Sequence, residues 1–99
     1  IVFDEVDAGI GGVTASIVGQ KIKKISHDSQ IICITHLAQI ACFADSHIYI
    51  HKLIHENKTY TKIKILNLKE RTEEIARMLG GSPQDQTSMA HARQLISGN

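Results

Sequence analysis

A strand–helix–strand pattern in the first third of the chain constrains the fold more than any other feature. Residues 1–3 and 31–35 are continuous apolar runs rich in β-branched side chains, which is typical of strands covered on both faces in a parallel sheet. Between them, apolar residues recur at helical spacing from Val13 to Ile25. A strand, a crossover helix and a second strand make a βαβ unit, so we expect an α/β fold with parallel strands.

The remainder of the chain predicts a hairpin followed by two helices. Residues 46–54 and 59–66 both alternate between apolar and polar side chains, so we expect an antiparallel β-hairpin with its loop at 55–58. A helix is expected over 69–79, ended by Gly80 and Gly81. A last helix should run to about Ser97, with Ser82 as its N-cap.

Composition excludes several classes of protein. The chain has 99 residues, which is enough for one domain. Its 11 Lys and Arg residues nearly balance its 10 Asp and Glu residues, so charge gives no sign of a nucleic-acid or anionic-membrane surface. Apolar runs are too short to span a bilayer. Two cysteines, Cys33 and Cys42, are too few for a disulfide framework or a four-cysteine zinc site, and they fit a reducing compartment.

The first residues suggest that the chain is part of a longer protein. It begins at Ile1, without a methionine and already inside an apolar run. A natural start in the middle of a strand would be unusual, and no charged-then-apolar secretion leader is visible there. We therefore expect a fragment.

Three carboxylates, Asp4, Glu5 and Asp7, follow the first strand. A carboxylate at a strand end can hold Mg²⁺ directly or through water, because this ion prefers oxygen ligands. A second carboxylate beside it can activate a water for attack on a phosphate. An ordinary solvated acidic turn would show the same spacing, so the cluster alone leaves both interpretations open.

His36 follows the second strand and strengthens the functional interpretation. Parallel strands of one unit end at the same edge of a sheet, where open α/β folds bind their ligands. An imidazole there can hydrogen-bond a phosphate oxygen or an attacking water. A lone histidine at a strand end is more often structural, but this one is expected beside the acidic cluster.

Other glycines and histidines give weaker signals. Gly9, Gly11 and Gly12 form a flexible turn but do not complete a G-x-G-x-x-G pattern, and no Gly-Lys dipeptide exists for a Walker A phosphate loop. His47, His51 and His55 are spaced by four, as metal ligands on a helix would be. In a strand, however, His47 and His51 would lie about 13 Å apart on one face, which disfavours a metal site.

Several motifs together resemble those of the ATP-binding-cassette ATPases. The apolar run ending in Asp4-Glu5 resembles a Walker B motif, and DEVDAGIGG at 4–12 is similar to the form found in the RecN family of bacterial DNA repair ATPases, within the structural-maintenance-of-chromosomes (SMC) group. ITHLAQIA at 34–41 resembles the switch-histidine segment of that family. RMLGG at 77–81, followed by a helix, resembles its C-terminus.

The resemblance implies a role for each matching residue. Asp4 would complete the Mg²⁺ shell, Glu5 would be the general base for the hydrolytic water, and His36 would contact the γ-phosphate of ATP. Residues 7–12 would be the D-loop, which reaches the partner head. The nucleotide-binding residues implied in this way are Asp4, Asp7, Gly9, Gly11 and Gly12.

The resemblance also implies an architecture. Residues 1–99 would be the C-terminal lobe of one ATPase head, a partial P-loop NTPase fold that lacks the Walker A loop, Q-loop and signature motif. ATP and Mg²⁺ would bind the complete head, a second head and DNA would be its partners, and the location would be the bacterial cytoplasm and nucleoid. Alone, these residues should show no ATPase activity, because the backbone amides and lysine that cradle the phosphates are missing.

Two alternatives remain open on the sequence. One is a head of another ATP-binding-cassette ATPase, either a transporter subunit or a chromosome-condensation protein. Transporters usually have proline after the Walker B acids, whereas Val6 stands here. The other is a non-catalytic interaction module built on a βαβ core and a hairpin, which the missing phosphate loop favours.

Overall fold

The computed structural model describes residues 1–4 and 9–98. Two parts of the predicted acidic cluster, Glu5 and Asp7, lie outside the described residues. The elements in chain order are β1 (Val2–Asp4), α1 (Gly12–Ile25), β2 (Ile32–Ile34), α2 (Ala38–Ala41), β3 (Ile48–His55), β4 (Lys58–Ile65), α3 (Leu68–Met78) and α4 (Gln86–Ser97).

The predicted βαβ unit is present. Strands β1 and β2 pair in parallel, with Val2 opposite Ile32 and Asp4 opposite Ile34, and α1 forms the connection between them. The expectation that both faces of this sheet are covered is wrong for the described residues. Ile32 is 54% exposed and Ile34 is 50% exposed, because no described element packs over their face.

The predicted hairpin is also present, with a tighter turn than expected. Strands β3 and β4 pair antiparallel from Ile48–Ile65 to His55–Lys58. Only Glu56 and Asn57 remain in the loop, and both have positive φ, 52° and 63°. Positive φ at both central residues matches the twist of the flanking strands, so each strand reaches one residue farther into the turn than the alternation predicted.

Helix α3 has well-defined ends. At its start the Asn67 side chain accepts a hydrogen bond from the Glu70 amide (2.8 Å), and the Glu70 carboxylate accepts one from the Asn67 amide (3.1 Å), which is a capping box. At its end Gly80 adopts φ +85°. The Gly80 amide donates to the Arg77 carbonyl, and the Gly81 amide to the Ala76 carbonyl. This pattern confirms the predicted glycine stop.

Helix α4 begins later than predicted. Its N-cap is Asp85, whose side chain accepts from the Thr87 amide (3.1 Å) and the Ser88 hydroxyl (2.8 Å). The predicted cap, Ser82, instead begins a turn in which its carbonyl accepts from the Asp85 amide. A carboxylate is a good cap because it complements the helix dipole.

The buried core lies where α2, α3 and α4 meet. Ile75 on α3 and Ala92 on α4 are fully buried, together with Ala38 on α2. Most of the other buried core residues are also small, which allows the three helices to approach closely. Among the described residues, no helix is long and apolar enough to cross a membrane.

Candidate functional site

Asp4 and His36 lie at the same edge of the parallel sheet. Asp4 is the last residue of β1 and is paired in register with Ile34, the last residue of β2. His36 follows Ile34 by two residues. Both side chains are exposed. The strand register therefore places two of the predicted site residues, Asp4 and His36, at the same sheet edge.

A short turn holds His36 between β2 and α2. The Thr35 hydroxyl accepts a hydrogen bond from the Leu37 amide at 3.0 Å, which closes a local side-chain turn around the histidine. Leu37 is the N-cap of α2. Since His36 directly precedes the helix cap, the placement of α2 fixes the placement of the histidine backbone.

Two neighbours fix α2 in turn. From α3, the Arg71 guanidinium donates to the Cys42 carbonyl at the end of α2 (2.9 Å). From α1, Gly19 faces the Phe43 ring and the Gln39 carbonyl. The sequence does not indicate the Arg71 contact, because the two groups are 29 residues apart. It does single out Gly19. A glycine inside a helix either costs about 1 kcal/mol of stability relative to alanine or marks a close contact.

The glycines after the acidic cluster are placed between β1 and α1. Gly9 has φ +75°, a conformation that side-chain-bearing residues rarely adopt. Gly11 is the N-cap of α1 without a side-chain hydrogen bond. Gly12 begins the helix, and the Gln39 side-chain amide lies 3.7 Å from the position that a Cβ at Gly12 would occupy. The start of α1 thus lies near the segment that follows His36.

A separate cavity of about 330 Å³ lies between the hairpin and α3. Ion pairs join Lys64 to Glu70 and Arg77 to Glu74 along its rim. The Lys64 ammonium holds the pKa of the Glu70 carboxyl below its usual range, and the Glu74 carboxylate raises the pKa of Arg77. These four groups pair with each other, and Glu73 also lines the cavity.

The three histidines spaced by four lie along the hairpin, as the strand interpretation expects. His47 precedes β3 and His51 lies within it, with Tyr49 between them on the same face. The rings of Tyr49 and His51 stack with centroids 5.2 Å apart. Burial lowers the pKa of His47. Over residues 1–4 and 9–98, no group of three or more His, Cys, Asp or Glu side chains is arranged to hold a metal ion.

Comparison with known proteins identifies close sequence relatives. No protein-family model matches the chain. The DNA repair protein RecN of Bacillus subtilis (strain 168) is 43% identical over 96 residues, which is 97% of this chain and 17% of that protein. RecN of Rickettsia felis is 47% identical over 97% of this chain and 18% of its own length. RecN of Deinococcus radiodurans is 42% identical over 98 residues, which is 99% of this chain and 17% of that protein.

A solved structure shares the fold. It comes from work on ATP-driven dimerization and DNA-stimulated activation of SMC ATPases. The two structures agree with a TM-score of 0.63 at 24% identity, over 80% of this chain and 47% of that one. This likeness confirms the α/β prediction and its assignment as a partial P-loop NTPase fold.

The sequence relatives and the fold agree. The RecN resemblance is confirmed along almost the whole chain, which spans about a sixth of the length of the relatives that it matches. Neither a transporter subunit nor a non-catalytic interaction module is favoured by these matches. The chain is therefore similar over nearly its whole length to one segment of RecN DNA repair proteins, and it has a partial P-loop NTPase fold.

Proposed function

We propose that these residues are the C-terminal lobe of an ATPase head in a RecN-like DNA repair protein. The lobe would supply the Walker B acids Asp4 and Glu5, the D-loop at 7–12 and the switch histidine His36. The observation that carries the proposal is the placement of Asp4 and His36 at one sheet edge, in a chain that aligns with RecN of Bacillus subtilis over 97% of its length at 43% identity.

The residues at this edge fit the chemistry of phosphoryl transfer. Asp4 presents an exposed carboxylate at a strand end, and one or two carboxylates plus phosphate oxygens are the usual protein contribution to a Mg²⁺ site. Such an ion would neutralise charge on the phosphates. Glu5 would accept the proton of the attacking water. His36 would hydrogen-bond the γ-phosphate and keep it in line with that water.

The complete site needs residues beyond these 99. The sequence has no Gly-Lys dipeptide for a phosphate-cradling loop. We therefore place nucleotide binding in the complete head, where backbone amides and a lysine from the rest of the protein would hold the phosphates. ATP with Mg²⁺ would be the ligand of that head, and these residues alone would supply only the hydrolytic side.

Head closure would be the mechanical output of the cycle. Residues 7–12 would cross to a second, identical head when both bind ATP, and hydrolysis would release it, because the γ-phosphate favours the closed state. DNA would be the substrate on which the assembled protein acts, in break repair and recombination. The bacterial cytoplasm, at the nucleoid, would be the place of action.

Substitution of the proposed base tests this function in the full-length protein. Glu5→Gln keeps the size of the side chain but removes its capacity to accept a proton, so we expect ATP turnover to fall by about 10²-fold or more. ATP binding should persist, and head dimers should accumulate in sizing or crosslinking experiments. The control is Glu56→Gln at the exposed hairpin turn, which should hydrolyse ATP like the parent. Normal turnover by Glu5→Gln would remove Glu5 as the base.

A further inference from the structure

Gly19 allows an unusually close approach between α1 and the segment containing α2. A Cβ built on Gly19 would lie 2.5 Å and 2.8 Å from two carbons of the Phe43 ring, and 3.0 Å from the Gln39 carbonyl oxygen. Contacts this short do not occur between real side chains, so any larger residue would push the two segments apart. Glycine in a helix interior costs about 1 kcal/mol of stability relative to alanine. Here the absence of a side chain at Gly19 allows the close contact with Phe43.

The approach extends along one face of α1. Positions 12, 15, 19 and 23 share that face, since helical neighbours recur every three to four residues. Near one end, the Gln39 side chain lies by Gly12. Ala15 is fully buried. Near the other end, the Lys23 ammonium pairs with Asp45 and holds the pKa of that carboxyl below its usual range. Residues 39–45 are thus fixed against α1 at several points.

Both segments lead directly into the proposed site. Helix α1 begins at Gly12, at the end of the proposed D-loop, and α2 begins two residues after His36. From the opposite side, Arg71 of α3 holds the Cys42 carbonyl. Since α2 is held between α1 and α3, the separation at Gly19 sets where α2 lies, and with it the backbone of His36.

We infer that Gly19 is a positioning residue for the switch histidine, acting through Phe43 and α2. This inference rests on the proposed ATPase function. Alanine at position 19 must displace Phe43 by about 1 Å to reach an ordinary contact distance. A shift of that size at a catalytic group can reduce turnover by as much as about 10²-fold, whereas the phosphate-cradling residues that dominate ATP affinity lie elsewhere in the head.

The experiment measures kcat and KM for ATP in the full-length protein. For Gly19→Ala we expect kcat to fall about 10-fold or more, with KM changed less than about 2-fold. Phe43→Leu, introduced together with Gly19→Ala, makes room for the added methyl group and should restore much of kcat. In a His36→Ala background, Gly19→Ala should produce no further loss, because residues that act through one group are not additive.

Gly81 supplies a matched control. A Cβ there would overlap the Ser88 hydroxyl oxygen and lie 2.5 Å from the Ser88 Cβ, so Gly81→Ala disturbs packing comparably, but between α3 and α4. It should lower the melting temperature and leave kcat of the folded enzyme unchanged. Phe43→Leu alone keeps the inference testable if Gly19→Ala does not fold, since loosening the same contact should also lower kcat without changing KM.

Two results would overturn the positioning role. One is a Gly19→Ala enzyme that loses stability like Gly81→Ala but keeps the parental kcat. The other is an equal fractional loss of kcat in the parental and His36→Ala backgrounds, which would show that Gly19 does not act through the histidine. Failure of the proposed function is distinguishable, because it would appear as normal turnover in Glu5→Gln, whatever Gly19→Ala does.

Discussion

At the scale of single residues, the candidate site depends on the side chains of Asp4 and His36. Local structure positions both of them, and neither belongs to the buried core. Asp4 ends a three-residue strand, and His36 sits in a turn closed by the Thr35 hydroxyl. Both are exposed, so neither contributes much to stability. Residues of this kind can be substituted with little effect on folding, and their removal should be seen in turnover.

His36→Ala in the full-length protein is therefore expected to slow ATP hydrolysis by about 10²-fold, with a melting temperature within about 2 °C of the parent. The physical reason is that this variant would lack the proposed hydrogen bond from His36 to the γ-phosphate. Steady-state ATPase assays and thermal unfolding would be measured in parallel. His27→Ala, at an exposed position after α1, is the matched control and should keep parental turnover. An enzyme lacking His36 that hydrolyses ATP normally would exclude this role.

Some residues of the candidate site could be predicted from the sequence, and others could not. Asp4 and His36 could be paired in advance, because strand ends in a βαβ unit share an edge. Glu5 and Asp7 stay predictions, since they lie outside the described residues. The contact of Arg71 with the Cys42 carbonyl could not be predicted from the sequence. A hydrogen bond between groups 29 residues apart produces no periodic pattern in the chain.

At the scale of elements, the sequence predicts the presence of a helix more accurately than the residues at which the helix begins and ends. The αL glycine at position 80 could be predicted because few other residues adopt that conformation. The start of α4 could not, since Ser82 and Asp85 are both good caps, and the turn formed by residues 82–85 decided between them. The start of α3 was placed within a residue, and its capping box came from Asn67, which the periodicity did not single out.

That cap gives a stability prediction. Asn67→Ala removes the acceptor for the Glu70 amide and should lower the free energy of unfolding by about 1 kcal/mol. Urea unfolding of the 99-residue chain would measure it as a lower midpoint with an unchanged slope. Ser29→Ala, at an exposed loop position, should change stability by less than about 0.5 kcal/mol. Equal midpoints for Asn67→Ala and the parent would show that the capping box contributes nothing.

At the scale of the whole molecule, the most informative feature is apolar surface that the described residues leave open. The apolar run at 31–35 predicts a strand covered on both faces, but the isoleucines of β2 are half-exposed. The pattern was right about the kind of strand, but a sequence cannot show which element covers it. The hairpin also has apolar side chains that no described residue covers. Isoleucines 48, 50, 54, 63 and 65 share one of its faces by register and are 52–80% exposed.

Ile48, Ile50, Ile63 and Ile65 form an apolar patch at one end of this face, and the Lys52–Thr61 pair separates the patch from Ile54. An exposed apolar patch promotes association in water, so we expect the isolated 99-residue chain to self-associate. Ile50 and Ile63 are directly paired near one end of this face. The double variant Ile50→Lys with Ile63→Lys places two like charges there and should weaken association by about 10-fold or more. Sedimentation velocity over a range of concentrations would measure it. Val13→Lys, at an apolar side chain that is 80% exposed on α1, should leave association unchanged if the hairpin face drives it. Equal weakening by Val13→Lys would show that association reflects exposed apolar side chains in general, and the hairpin would then have no special role.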